Sequence, residues 1–293
     1  MERREKLEFI LEQMRLLRAK ENWDMLQIVS KKINTKWLEE EANEDLKFKF
    51  YSLMILYALQ MDKYLDVAKH YRSLFTTPSI KDSQDKWQPV LRNVIFFIVL
   101  SPYDNEQSDL LHRTLKDEDD KLQQIPDCLN LAKCFTTPEL TRWPRIESLY
   151  GAGLRQTKVF GSNGVQGVEG DIEQEITSGQ GEKRFSELHK RVVEHNIRTI
   201  AKYYTRITLN RLSELLDLDS KDTEESLAKM VVGKQVHAKI DRPAGIVDFR
   251  EVNKGTYKVL NEWSNDVGRL MVSQDKARPQ FFPKHKCVVH EPS

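Results

Sequence analysis

Seven histidines and three cysteines are the residues of this chain best suited to acid-base, nucleophilic or metal chemistry. The histidines are His70, His112, His189, His195, His237, His285 and His290, and the cysteines are Cys128, Cys134 and Cys287. A zinc hydrolase would carry two histidines as HExxH on one helix, or close together as HxH, and neither spacing occurs. Glu194-His195 sits in a run of good helix formers, where a packed or surface histidine is expected. His285, Cys287 and His290 could chelate an ion, but they stand in a tail without pattern and their proximity reads as accident. GxSxG is missing, and Cys128 and Cys134 have no histidine nearby in sequence, so both read as small apolar fillers. With no CxxC pair the cysteines suit a reducing compartment. No catalytic residue, metal ligand, cofactor or small-molecule substrate is assigned on these grounds.

Phosphate binding is the next possibility. Eight of the twelve glycines fall within 151–181, and glycine-rich turns can cradle phosphate on backbone N–H groups. That chemistry needs GxxxxGK[ST] or GxGxxG between a strand and a helix, and neither pattern is present. The stretch runs into Glu169, Asp171, Glu173 and Glu175, which repel phosphate, so a flexible acidic loop is expected over 156–181.

The chain's bulk properties narrow the class further. Its 293 residues are 39% hydrophobic and 31% charged, which describes a helix-rich globular protein of about two domains. The 46 basic residues nearly balance the 45 acidic ones, leaving no general field to draw the protein onto nucleic acid or anionic lipid. The longest apolar run, Val94 to Leu100, is far short of the ~20 residues that span a bilayer. Met1 to Lys6 leads directly into an amphipathic pattern without a secretion signal. Cytosol and nucleus are the expected compartments.

Helical spacing dominates the first half. Leu7, Ile10, Leu11, Met14 and Leu17 form one face, followed by Leu26, Val29 and Ile33, then Leu46, Phe50, Leu53 and Tyr57, then Tyr64, Ala68, Tyr71 and Phe75. These paired helices suggest a degenerate, right-handed helical-repeat solenoid over 1–155. Further helices are predicted at 84–100, 104–115, 121–134 and 137–150, with Thr77-Pro78 and Thr137-Pro138 as helix starts. Past the loop, a helix from Glu182 to Tyr204 shows Val193, Ile197, Ile200 and Tyr204 on one face. A second carries Leu209, Leu212 and Leu216. A third, with Leu227, Met230 and Val231, is expected to close at Gly233 in a left-handed cap. Val236, Ala238 and Ile240 then alternate as a strand, Asp241 to Gly245 turn, and Ile246 to Phe249 return.

Three helices and a β-hairpin over 182–252 make the order of a winged helix. A closing helix over 256–272 presents Leu260, Trp263, Val267 and Leu270, and a disordered tail over 273–293 is expected. Winged helices often read DNA with the third helix. Here that helix opens among Asp217, Asp219, Asp222, Glu224 and Glu225, which disfavours a duplex. Lys229, Lys234, Lys239 and Arg242 offer only a small positive stripe. Protein association, through a sheet edge or the closing helix, fits the pattern better.

Several stretches carry a family resemblance. They are Leu7 to Leu16, Ser30 to Lys36, Tyr103 to Leu110, Arg191 to Arg198 and Ala201 to Thr208. With the helical arm and winged helix, they resemble the PCI-domain family, specifically its proteasome lid scaffolds. The resemblance implies a mainly α fold and a non-catalytic scaffold supporting ubiquitin-dependent degradation. It implies pairing of wing edges between successive PCI subunits, by position through Val236, Ala238, Ile240, Ile246 and Phe249. It also implies a helix bundle joined through Leu260, Trp263, Val267 and Leu270. Implied partners are other lid subunits, of PCI and deubiquitinase type, with the base ATPases and core particle beyond them; nucleic acid and membrane are not expected. The family has further repeats before the segment matched by Leu7, and the likeness ceases after about Met271. The rival readings are a winged-helix nucleic-acid binder and a PCI scaffold of a signalosome or translation initiation complex.

Overall fold

Leu7, Ile10, Leu11 and Met14 share one face of helix α1 (Arg3–Ala19), and that face is buried, as their spacing requires. The computed structural model describes residues 3–40, 43–161 and 180–250, with 260, 263, 264, 266, 267 and 269–271. Asn22 caps α2 (Trp23–Ser30) by accepting from the Met25 N–H at 3.2 Å. Asn34 likewise caps a single turn, α3 (Thr35–Leu38), that the polar composition does not suggest. α4 (Glu44–Gln60) packs on α1, α2 and α5 (Tyr64–Phe75), which is why it buries residues nearly all round. After the turn α6 (Pro78–Lys81), α7 (Gln84–Leu100) lies against α5 and buries the whole run Val94 to Leu100. Tyr71 stacks on Phe97 there, ring centroids 5.8 Å apart.

Two of the expected helices form differently. α8 (Asn105–Asp117) forms as expected, but the helix anticipated over 121–134 is split into α9 (Asp119–Leu122) and α10 (Pro126–Thr136). Ile125, placed before Pro126, is held out of the helical region at φ −125°, ψ 70°. Thr137 before Pro138 has ψ 132° and ends α10 instead of starting a helix. The next helix begins only at α11 (Trp143–Ile146), passes through a π-helical turn (Glu147–Gly151) and finishes as α12 (Ala152–Gln156). The start of the expected 156–181 loop is packed: Val159 and Phe160 are core residues, and Phe160 meets Phe96 edge-on at 5.4 Å. Its remainder, 162–179, lies outside the described residues.

α13 (Gly181–Tyr203) is the spine of the C-terminal part of the chain. Its Phe185 and Leu188 belong to the core built by α1 to α12, whereas Val193, Ile197 and Ile200 belong to a second core. Tyr204, expected on that buried face, lies past the helix end and is exposed. The second core is completed by α14 (Leu209–Leu216), α15 (Ser220–Val232) and a three-stranded antiparallel sheet of β1 (Arg206–Thr208), β2 (Lys239–Asp241) and β3 (Ile246–Asp248). The strand order is β1-β3-β2, with Ile207 and Ile240 both opposite Val247. Gly233 has φ −71°, so the expected left-handed glycine cap is absent; Lys234 takes the positive φ instead, at 55°. The hairpin turn does need its glycine, because Gly245 sits at φ 62°.

Candidate protein-protein interface

The two cores are joined by polar contacts along α13. The amide of Asn196, fully buried, accepts from the Thr141 N–H at 3.0 Å and donates to the Thr141 carbonyl at 2.8 Å. Tyr203 donates to the Pro138 carbonyl at 3.2 Å. The Arg198 guanidinium lies 3.9 Å from the centroid of the Tyr103 ring, an arrangement worth ~0.5–2 kcal/mol depending on burial. His195 packs against Phe135 at 5.7 Å. Burial pulls its pKa down to about 4, the Arg198 charge adding to the shift and contacts with the Thr137 and Glu139 backbone opposing it. It is a neutral, packed histidine of the seam.

The sheet rearranges the expected wing edge. β3 is hydrogen-bonded on both sides, to β1 and to β2, so Ile246 to Phe249 cannot accept a strand from another chain. This corrects the expectation that the return strand is an edge. The strand expected from Val236 shrinks to Lys239–Asp241. Val236, Ala238 and Phe249 are buried in the second core, so they hold the sheet on its helices and have no surface to offer; Ile240 and Ile246 are half-buried. β1 is a strand that the sequence reading misses. Its signal is the β-branched run Thr205, Ile207 and Thr208 beside Tyr204, with only Ile207 buried. Among the described residues β1 and β2 each pair with β3 alone, which leaves an outer edge on each. Lys239 and Asp241 stand exposed on the β2 rim.

Residues 260, 263, 264, 266, 267 and 269–271 are helical. Leu260, Trp263 and Leu270 expose 49%, 66% and 67% of their surface, and Met271 exposes 65%, while Val267 is half-buried. So many large apolar groups at helical spacing call for a covering surface. The rest of the expected 256–272 helix and the 273–293 tail lie outside the described residues.

Carboxylates meet several of the cations around the hairpin. Arg242 is bound by Glu224 at 2.6 Å and Lys229 by Glu225 at 2.6 Å. Arg206 lies 3.5 Å from Asp248, to which Arg250 is also bound, and these cations hold the Asp248 carboxyl far below the ordinary carboxylate range. Two of the four cations of the positive stripe, Lys229 and Arg242, are thus paired with carboxylates.

The two cysteines among the described residues are Cys128 and Cys134. Burial pushes the Cys128 thiol up to about 12 and raises that of Cys134, so neither supplies a thiolate near neutral pH. No group of three or more potential metal ligands comes together among the described residues, of which His285, Cys287 and His290 are not part. No helix among the described residues is long and apolar enough to cross a membrane.

Comparison with known families agrees with this layout. Residues 1–83 match the family described as PSMD12/CSN4, N-terminal, and residues 169–251 match the PCI domain. The chain is a PCI-domain protein, mainly helical with a small three-stranded sheet. It is 41% identical over 275 residues to the 26S proteasome regulatory subunit rpn501 of Schizosaccharomyces pombe, a match covering 94% of this chain and 58% of that protein. Against the 26S proteasome regulatory subunit RPN5 of Saccharomyces cerevisiae it is 38% identical, covering 92% and 57%. Against the 26S proteasome non-ATPase regulatory subunit 12 homolog A of Arabidopsis thaliana it is 34% identical, covering 99% and 66%. Within the PCI class it belongs to the family of these proteasome regulatory subunits. It spans a little over half the length of the yeast relatives it matches.

Proposed function

We propose that this chain is a non-catalytic scaffold subunit of the proteasome regulatory particle lid, supporting ubiquitin-dependent protein degradation. The observation that carries the reading is the pairing of an unfilled sheet edge with exposed apolar residues at helical spacing, in a chain whose relatives are named as proteasome regulatory subunits. Residues 1–155 act as a right-handed helical-repeat arm, 156–181 as the connecting loop, 182–252 as a winged helix, 256–272 as the closing helix and 273–293 as a tail. The outer backbone of β2 from Lys239 to Asp241, with Ile240, adds to the sheet of a neighbouring PCI subunit. Leu260, Trp263, Val267 and Leu270 enter a bundle with helices of other lid subunits, deubiquitinase-type subunits among them. The arm faces the base ATPases and core particle, and the complex works in cytosol and nucleus.

The test is affinity purification of the tagged full chain under gentle lysis. Lid subunits should be recovered in stoichiometric amounts; a monomeric profile, or recovery of signalosome or initiation-factor subunits in their place, overturns the assignment. A salt-sensitive shift of duplex DNA or RNA at physiological ionic strength would favour the nucleic-acid reading instead.

A further inference from the structure

Asn93 stands directly before the apolar run Val94 to Leu100 on α7, and it is nine-tenths buried. Among the described residues nothing hydrogen-bonds to its carboxamide, and neither polar atom is sealed off from the space beside it. That space is a cavity of about 750 Å³ between α7, α10 and the stretch from the π-helical turn through α12, within the ~300–1,000 Å³ range of sites that hold a drug-sized ligand. Phe96, Leu131 and Leu154 supply apolar walls, and Leu149 stands at the margin with 62% of its surface exposed. Leu149 is carried by the π-helical turn, a distortion that recurs at functional sites. The charged residues of the lining, Asp85 and Asp127 against Arg92 and Lys158, balance.

A buried amide without a partner costs the fold stability that a leucine of similar volume would not, and breaches of this kind concentrate at functional sites. Water can hydrate the carboxamide in the free chain, but it leaves the apolar walls wet. A ligand that covers the walls and also returns a donor and an acceptor removes both penalties. The chain itself shows the matching group, for the Asn196 carboxamide pairs with both the N–H and the carbonyl of one residue, Thr141. Backbone inside an α-helix has those groups engaged already. A phosphate or carboxylate has no N–H for the Asn93 oxygen, and the balanced charges of the lining select no ion. We propose that this cavity binds an extended, uncharged peptide segment of a partner protein. One residue of the segment pairs its N–H and carbonyl with Asn93, while neighbouring apolar side chains cover Phe96, Leu131, Leu149 and Leu154. The site belongs to the first core and does not depend on the lid assignment.

The experiment is titration of the full chain with the blocked peptide acetyl-Leu-Ala-Leu-N-methylamide, followed by saturation-transfer NMR. Saturable binding with a Kd of about 1 mM or tighter is expected. The fully N-methylated analogue, which keeps the side chains but has no N–H to donate, should bind at least about tenfold more weakly. Asn93→Leu should weaken the parent peptide by at least about tenfold and leave the melting temperature unchanged or higher. Leu149→Ser, at an exposed position, should weaken it severalfold and melt as the wild type does. Absence of saturable binding, equal binding of the two peptides, or unchanged affinity in either variant overturns the proposal. So does a lower melting temperature or failure to fold in Asn93→Leu, which would give the carboxamide to the fold. Self-association of the free chain that Leu149→Ser abolishes, read by sedimentation, would make a second copy the occupant and overturns it too.

Discussion

Asn196 is the side chain whose removal the seam would feel most. Its amide matches both backbone groups of Thr141 in a non-helical stretch, so Asn196→Ala would leave an N–H and a carbonyl unpaired. A loss of ~1–3 kcal/mol is expected, read as a lower denaturation midpoint in urea with unchanged slope. His195 gives a pH signature. Its ordinary pKa is 6.5, and in the folded protein it falls to about 4. Between those values the unfolded chain binds a proton that the folded chain refuses. Stability is therefore lost as pH falls through this window, by up to ~1.4 kcal/mol per pH unit. His195→Gln should reduce the slope of stability against pH by about one proton between pH 6 and pH 5; an unchanged slope would show that other groups dominate. His70, also drawn down to about 4 by burial, contributes in the same direction and remains in the variant.

At the scale of elements, α13 is where both cores depend on one rod. Ile197 is fully buried in the second core, and Ile197→Ala should cost ~2–5 kcal/mol. Urea unfolding followed separately by fluorescence and far-ultraviolet dichroism would show whether both cores melt together. Pattern alone predicts α1, α2, α4, α5, α7, α8 and the helices of the second half, because each carries apolar residues at helical spacing. Where it fails, a local force overrides periodicity. Ile125, before Pro126, stands outside the helical region and splits the expected helix, and the apolar spacing across 121–134 does not register that. Val159 and Phe160 stand near glycines and read as linker, yet both are buried, Phe160 between Phe96 and Phe185. β1 is three residues long, too short for alternation to show, and without it the hairpin strand Ile246–Asp248 reads as an edge. The interface residues inferred from position suffer for the same reason: Val236, Ala238 and Phe249 are apolar because they are core. Ile240→Pro tests the rim that remains. Removing a backbone donor from β2 costs ~0.5–1.5 kcal/mol per hydrogen bond, so lid incorporation should fall by up to about tenfold with little change in helical dichroism. Full incorporation would move the contact to the β1 side or away from the sheet.

For the molecule as a whole, the exposed side chains at 260, 263, 270 and 271 matter more than any single pair. Replacing Trp263 and Leu270 together by serine removes two of the largest exposed apolar groups, so stability in isolation should change by less than ~0.5 kcal/mol. Recovery of lid subunits in the purification should drop severalfold. A large stability loss would instead place those residues against the chain's own body. The strand order has a temporal meaning as well. β1 and β2 touch only β3, and β3 is the last of the three to leave the ribosome. A nascent or truncated chain ending before Ile246 therefore has two strands and no ladder, however much of its helical arm has already folded. Competence to assemble would be withheld until synthesis has passed that strand, so that half-made copies cannot capture neighbours through a sheet they do not yet possess.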